Sequence, residues 1–183
     1  MCVSDPVRLS RTVAHALRHD PGVYGLELDG EGWADLDRLI AALRKKRSGW
    51  PDLDADDLRG ALARSEKRRF EIEDGRIRAL YGHSTPEPVV RPEGRPPETL
   101  WHGTSPEAAA AIVERGLEPR GRQRVHLSTD PAGAREVGRR KAAEPELLRV
   151  RAREAWEDGV AFFRGGGDVW LADSIPARWV ERG

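Results

Sequence analysis

The stretch "GHSTPEPVVRPEGRPPET", residues 82–99, carries five of the chain's 13 prolines: Pro86, Pro88, Pro92, Pro96 and Pro97. Each proline pushes the residue before it toward an extended conformation, and a run of this kind packs poorly. The apolar patterns on its two sides must then close as separate cores, and 183 residues are enough for two small ones. The expected organisation is a first lobe over residues 1–84, a Pro-rich linker over 85–98 and a second lobe over 99–183.

Before the linker the pattern reads helix, helix, helix, hairpin. Asp5-Pro6 suits an N-cap followed by a first-turn proline, and Leu9, Val13, Ala16 and Leu17 follow at helical spacing. Leu36, Leu39, Ile40 and Leu43 repeat that spacing, and Asp54 is placed to cap a third helix bearing Leu58, Ala61 and Leu62. "RRFEIEDGRIRAL" (68–80) alternates around Asp74-Gly75, a two-residue hairpin signal. Three helices closed by a hairpin predict a winged-helix-like lobe.

The second lobe reads as strand-rich and α+β. "TLWHGT" (99–104) predicts a strand. "SPEAAAAIVERG" (105–116) predicts a helix with Pro106 in its first turn and Gly116 at its end. "RVHLS" (124–128), "LLRVRA" (147–152), "VAFFR" (160–164) and "DVWLA" (168–172) are short candidate strands, with a helix expected around 131–142. "RGGGD" (164–168) lacks the lysine and spacing of a phosphate-binding loop and reads as a hairpin turn.

Charge gives no drive toward a polyanion or a membrane. Lys plus Arg total 31, Asp plus Glu total 31, and the two halves are balanced as well, so any anion site must come from local arrangement. The single cysteine, Cys2, excludes a disulfide framework and a Cys-based zinc cluster. The longest apolar run, "AAAAIV" (108–113), is far too short to span a bilayer, so a soluble cytoplasmic protein without membrane attachment is expected.

Three places could carry chemistry. On the first helix Arg8, Arg11, His15 and Arg18 lie away from the apolar stripe, where cations near the C-terminus are favoured by the helix dipole. His15 and His19 are four apart, as metal ligands often are, but no third ligand and no HExxH glutamate accompany them, so no metal is expected. In "GLEPRGRQRVHLS" (116–128), Arg120, Arg122 and Arg124 alternate into a predicted strand, and guanidinium forks on one face match phosphate oxygens. "WHGTSP" (101–106) has the form strand, glycine turn, helix N-terminus, which suits an anionic ligand or is a routine turn.

Taken in order, "LSRTVAHALRHDPGVYGLELDGEGWADLDRLI", "KRRFEI", "IRALYGHS", "LWHGT", "GLEPRGRQRVHLS" and "DVWLADSIPARWV" resemble the RNA 2′-phosphotransferase family, often called tRNA 2′-phosphotransferases. The resemblance runs from about residue 7 to the C-terminus. It implies an N-terminal winged-helix-like RNA lobe and a C-terminal NAD-binding lobe with an ADP-ribosyltransferase-like fold. The implied activity removes an internal 2′-phosphate from RNA, such as one left at a tRNA splice junction. The 2′-phosphate attacks C1″ of NAD and expels nicotinamide. O2″ then attacks phosphorus, giving RNA 2′-OH and ADP-ribose 1″,2″-cyclic phosphate without a metal.

Carried over by motif, the implied catalytic set is Arg18 and His19 of "LRH", Arg69 of the "RF" pair, and Arg122 four residues before the histidine of "VHLS". The implied NAD-binding residues are His102, Gly103 and Thr104 of "HGT", with His126 and Ser128. The implied partners are NAD, consumed as co-substrate, and RNA bearing a 2′-phosphate, handled by a monomer. The chain departs from the family pattern at several positions. Ser65-Glu66-Lys67 stand where Asn-Asp-Lys is usual and Tyr81 where Gln is common. Arg120 and Arg124 occupy usual Met and His positions, and Gly167-Asp168-Val169-Trp170 replaces Asn-Gly-Val-Trp. Every catalytic position is retained.

These residue types fit that chemistry. Nicotinamide leaves as a neutral group, so the demanding tasks are aligning a phosphate dianion and stabilising charge on phosphorus, which arginines do by orientation and preorganised electrostatics. A histidine's pKa also suits donation of a proton to the departing RNA oxygen. Two other readings use the same features. One is an ADP-ribosyltransferase acting on a terminal nucleic-acid phosphate, and the other a non-catalytic winged-helix regulator that senses NAD.

Overall fold

A computed structural model describes residues 5–46, 50–64 and 68–183. Cys2 and the Ser65-Glu66-Lys67 departure lie outside the described residues. The chain divides into two compact units, Met1–Val90 and Arg91–Gly183.

In the first unit α1 spans Pro6–Arg18, opened by the Asp5 carboxylate accepting from the Arg8 N–H and by Pro6 in the first turn. Its buried stripe is Leu9, Val13, Ala16 and Leu17, as the spacing predicts. β1 (Trp33–Asp35) leads directly into α2 (Leu36–Lys45), which Asp35 caps and which buries Leu36, Leu39, Ile40 and Leu43. α3 (Ala55–Ala63) starts on Asp54, whose carboxylate accepts from the Asp57 N–H at 2.7 Å. β2 (Phe70–Glu73) and β3 (Arg76–Ala79) form the expected hairpin. Asp74 and Gly75 both take positive φ, 48° and 71°, as a two-residue turn of the right twist requires.

The sheet here has three strands rather than the two of a lone hairpin. β1 pairs antiparallel with β3, placing Ala34 opposite Ile77, so the order is β1-β3-β2. Three residues are too few for a periodicity signal, and β1 exists because β3 offers it an edge. Leu9, Val13, Leu17, Leu39, Leu43, Leu58 and Ile77 are fully enclosed at the centre of this unit.

The second unit is built on β4 (Thr99–Thr104), followed by α4 (Pro106–Arg115), capped by Ser105 and closed at Gly116 with φ 95°. β5 (Val125–Ser128) and α5 (Pro131–Gly138) come next, then β6 (Glu146–Arg151), α6 (Ala152–Glu157), β7 (Phe162–Gly166), β8 (Val169–Ala172) and β9 (Val180–Arg182). The six strands form one antiparallel sheet in the order β7-β8-β5-β4-β6-β9. Two antiparallel sheets with segregated helices make the chain α+β. Leu100, Leu148, Val150, Phe162 and Ile175 are fully enclosed in the second core.

Two expectations are adjusted in this unit, and two elements go beyond them. The regular helix expected over 131–142 ends at Gly138, and looser turns carry on to Ala142, whose N–H donates to the Gly138 carbonyl at 3.2 Å. Residues 120–124 are bends, and the strand begins only at Val125, so alternation does not govern Arg120, Arg122 and Arg124. α6 and β9 were not signalled at all. β9 is three residues long and owes its place to the free edge of β6.

The Pro-rich stretch is stitched down at both ends. The Val90 N–H donates to the Gly30 carbonyl in the first unit, and the Gly94 N–H donates to the Phe162 carbonyl in the second. Arg153 holds the Pro96 carbonyl through two guanidinium nitrogens at 2.9 and 2.7 Å. Among the described residues no helix is long and apolar enough to cross a membrane.

Candidate functional site

In the first unit the end of α1 is clasped by residues 81–84. The Arg18 carbonyl, one of those a helix leaves unpaired at its C-terminus, accepts from the Ser84 N–H at 2.8 Å. The Ser84 hydroxyl lies 2.8 Å from Nδ1 of His19, the residue that caps the helix. One serine thus fixes both the helix end and the orientation of the exposed imidazole that follows it.

The Arg18 guanidinium is held in parallel. Its carbon lies 5.0 Å from the Tyr81 ring centroid and 5.4 Å from that of Phe70, within reach of cation–π attraction. Gly82, with φ 90°, passes so close that a Cβ there would lie 3.4 Å from a terminal nitrogen of Arg18. Tyr81 therefore supplies an aromatic face where the family pattern commonly has Gln. The second terminal nitrogen reaches the Arg69 carbonyl at 3.5 Å, long for a hydrogen bond. Arg69 itself is half-buried just ahead of β2. The first unit thus assembles Arg18, His19 and the Arg69 backbone at one place.

Behind His19 stands a ring cluster that sequence reasoning treated only as a possible metal pair or solvated face. The His15 ring is 6.0 Å from His19 and 5.8 Å from Tyr24, and Lys46 lies over Tyr24 with its amine 3.1 Å from the phenol oxygen. Arg8 is engaged elsewhere, over Trp50 and beside Asp5. Among the described residues no three His, Cys, Asp or Glu side chains are grouped to hold a metal ion.

In the second unit His102 and Gly103 lie on β4 and His126 and Ser128 on the adjacent β5. The His102 Nδ1–H donates to the His126 carbonyl at 2.9 Å, and the His126 Nδ1–H donates to the Arg124 carbonyl at 3.0 Å. A carbonyl only accepts, so each ring carries a proton on Nδ1. Burial holds His102 below its ordinary value of 6.5, and the charges of Lys141 and Arg122 add to this, against the opposing hydrogen bond to His126. The ring is therefore neutral at physiological pH, suited to accepting a hydrogen bond from a hydroxyl.

Gly103 is where α5 touches the sheet. A Cβ at this position would lie 1.9 Å from the Ala134 carbonyl oxygen, so only glycine admits the helix. Thr104 is enclosed, at 1% exposure. The Ser128 hydroxyl accepts from the Asp130 N–H, and Asp130 caps α5 through the Ala132 and Gly133 N–H groups. Three of the residues first considered as ligand contacts thus also hold the local fold.

The three alternating arginines separate in role. Arg124 is committed, with Nε 3.0 Å from Asp173 and its guanidinium 4.0 Å over the Phe163 ring. Arg122 is exposed on the bend before β5 and acts electrostatically on both His102 and Lys141. Lys141 is held below its ordinary value by desolvation first, then by the charges of Arg122 and Arg120. It carries no motif and was missed from the sequence, as were Tyr81, Gly82 and Ser84. For those three the signal was present in the "YGHS" segment, which was assigned no site role.

Residues 4–174 match the family described as RNA 2'-phosphotransferase, Tpt1 / KptA family. The chain is 46% identical over 181 residues to a probable RNA 2'-phosphotransferase of Acetivibrio thermocellus, covering 99% of both chains. It is 46% identical over 172 residues to a protein of the same description from Bacillus thuringiensis subsp. konkukian, covering 94% of this chain and 92% of the relative. A third, from Lacticaseibacillus paracasei, is 40% identical over 175 residues, with 96% and 92% covered.

Proposed function

Because the chain belongs to the RNA 2'-phosphotransferase family, we propose that it removes an internal 2′-phosphate from RNA, with NAD as the acceptor of that phosphate. The observation that carries the reading is the clasp on α1, in which residues 81–84 hold the Arg18 carbonyl, the Arg18 guanidinium and the His19 imidazole in fixed places. A cation and an imidazole immobilised side by side suit a phosphate that must be aligned before it reacts.

In the first step a 2′-phosphate oxygen bonds to C1″ of NAD as the bond to nicotinamide breaks, its electron pair leaving with neutral nicotinamide. Arg18, Arg69 and Arg122 orient the phosphate and balance its charge. In the second step O2″ gives its proton to solvent and bonds to phosphorus, the bond to the RNA 2′-oxygen breaks with its electron pair on that oxygen, and His19 protonates it. The products are RNA 2′-OH and ADP-ribose 1″,2″-cyclic phosphate. His102, Gly103, Thr104, His126 and Ser128 bind NAD, with His102 accepting from a ribose hydroxyl. No metal takes part in this scheme.

The order α1-β1-α2-α3-β2-β3 of the first unit supports a winged-helix RNA lobe over residues 1–84, with the β2–β3 hairpin as the wing. The six-stranded unit is the NAD-binding, ADP-ribosyltransferase-like lobe over 99–183. The test is incubation with NAD and a short RNA carrying one internal 2′-phosphate, followed by mass analysis. Dephosphorylated RNA, nicotinamide and the cyclic phosphate are expected together, and absence of both the RNA product and the cyclic phosphate overturns the reading.

A further inference from the structure

α1 bears no acidic residue along its length, and its exposed side presents Arg11 and His15 about one turn apart ahead of His19. The His15 ring lies 6.0 Å from the His19 ring and 5.8 Å from that of Tyr24. The Lys46 amine, just beyond α2, reaches the Tyr24 phenol oxygen at 3.1 Å. Basic groups and rings thus form a continuous band that leads to the clasp holding His19.

The charges of this band are not spent inside the protein. Neither Arg11 nor Lys46 takes part in an ion pair among the described residues, and the phenol that holds Lys46 is a neutral partner. Two other faces of the first unit differ. In helix-turn-helix folds the second helix of the pair enters the groove of a nucleic acid, and α3 holds that place in the winged-helix reading above. It opens on Asp54, Asp56 and Asp57, and Arg59, its sole basic residue, lies 3.0 Å from Asp56. On the β2–β3 hairpin Arg78 is paired with Glu71 and Glu31, and Arg76 with Asp29. A polyanion therefore meets acids or neutralised arginines on both of these faces, and unopposed charge along α1.

We propose that the first unit docks the RNA strand flanking the 2′-phosphate along α1, over His15, Arg11 and Lys46, and not on α3 or the β2–β3 hairpin. Arg11 and Lys46 take phosphodiester oxygens, and the exposed His15 ring offers a face on which a base stacks. A single strand suits this band better than a duplex, because its bases are free to turn to the ring. That the polyanion is RNA rests on the function proposed above, since the band ends at the imidazole that protonates the RNA 2′-oxygen there. The charge arrangement rests on the first unit alone.

The test is fluorescence anisotropy of labelled RNA with the full chain, without NAD and over a range of salt. The strands are a dinucleotide carrying the 2′-phosphate and the same dinucleotide lengthened at its 5′ or its 3′ end. The variants are Arg11→Gln and Lys46→Gln in the band and Arg76→Gln on the hairpin. All three positions are exposed, and thermal unfolding confirms that each variant is folded. Lengthening on one side is expected to strengthen binding to wild type and to steepen its salt dependence. Arg11→Gln and Lys46→Gln are each expected to lower that slope by about 0.7, the counterion release of one single-strand phosphate, and to leave the affinity for the dinucleotide unchanged. Arg76→Gln is expected to bind every strand as wild type does. The proposal is overturned if lengthening on neither side adds affinity, or if both band variants bind the lengthened strand as wild type does. Equal weakening by Arg76→Gln overturns it as well, and so does polyglutamate that competes as effectively as unmodified RNA of the same length. Should the lengthened strand bind as expected and yield no dephosphorylated RNA when NAD is added, the proposed function falls and the docking face stands. Dephosphorylation with band variants that bind as wild type does leaves the function standing and removes the face.

Discussion

Gly103→Ala separates two uses of the same glycine, admission of a helix and contact with a ligand. The added Cβ would lie 1.9 Å from the Ala134 carbonyl oxygen, 2.7 Å from its carbonyl carbon and 3.1 Å from the Gly138 nitrogen. Ordinary contact begins at 3.4 Å, so the first of these is short by about 1.5 Å. All three obstacles are backbone atoms of α5 and its end, and no rotamer change can relieve them. The helix must move as a body, away from a strand with which it otherwise packs tightly.

Overpacking of a buried site costs about 1–3 kcal/mol when side chains can yield, and an obstructing backbone puts this substitution at or above the upper end. For a chain of this length each kcal/mol moves the midpoint by about 2–4 °C, so a fall of about 6–12 °C is expected. The assay is thermal unfolding followed by circular dichroism, with no nucleotide present. Gly121→Ala is the control, since a Cβ there meets nothing within 4 Å and the residue is exposed. If Gly103→Ala unfolds within about 1 °C of wild type, α5 does not press on β4 as described and the steric argument fails. A role in ligand contact alone gives that null result.

Other perturbations test other parts of the molecule. Gly60 lies exposed inside α3 with nothing within 4 Å of a Cβ, so Gly60→Ala should raise unfolding free energy by about 0.5–1 kcal/mol, read by denaturant titration. His102 is held below 6.5 in the folded protein, so the unfolded chain binds a proton that the folded one refuses as pH falls through 6.5. Stability should therefore decline below that pH and be flat above it as far as this group is concerned, and His102→Gln should remove that part of the slope. Arg18→Ala and Arg122→Ala should each cost about 2–5 kcal/mol of transition-state stabilisation, a loss of about 30-fold to several thousand-fold in kcat/KM. Turnover retained in either variant counts against the catalytic assignment. His19→Asn should slow the second step and flatten its pH profile, and Ser84→Ala should slow the same step about tenfold, with Ser84→Thr restoring it. Full second-step rate with an unaltered profile in His19→Asn removes histidine from the role of proton donor.

The parts of the fold that the sequence announced are those governed by neighbours in the chain. Asp5-Pro6, Asp54 and Ser105-Pro106 each cap the helix that follows them, and Asp74-Gly75 makes the hairpin turn, because each is a contact across two or three residues. β1 and β9 were illegible because each is three residues long and is decided by the open edge of a distant strand. The end of α5 was placed four residues late because the segment to Ala142 keeps turns of helical type without regular helix, a difference its apolar pattern does not mark.

The arginines show the same division on the scale of a single side chain. Arg120, Arg122 and Arg124 look equivalent in sequence, yet Asp173 and Phe163 remove Arg124 from any ligand and leave Arg120 without a paired acid among the described residues. Arg18 and His19 look like a helix end favoured by the dipole, and they are one. What raises them above that is Ser84, 65 residues beyond His19. Residues 82–84 open the proline-rich stretch, whose extended backbone leaves N–H groups unspent on local structure. One of these, that of Ser84, is available to the Arg18 carbonyl, and φ 90° at Gly82 lets the chain pass flat against the guanidinium. The stretch that prevents the chain from forming one continuous core is thus the stretch whose first residues hold the candidate phosphate-binding pair in place.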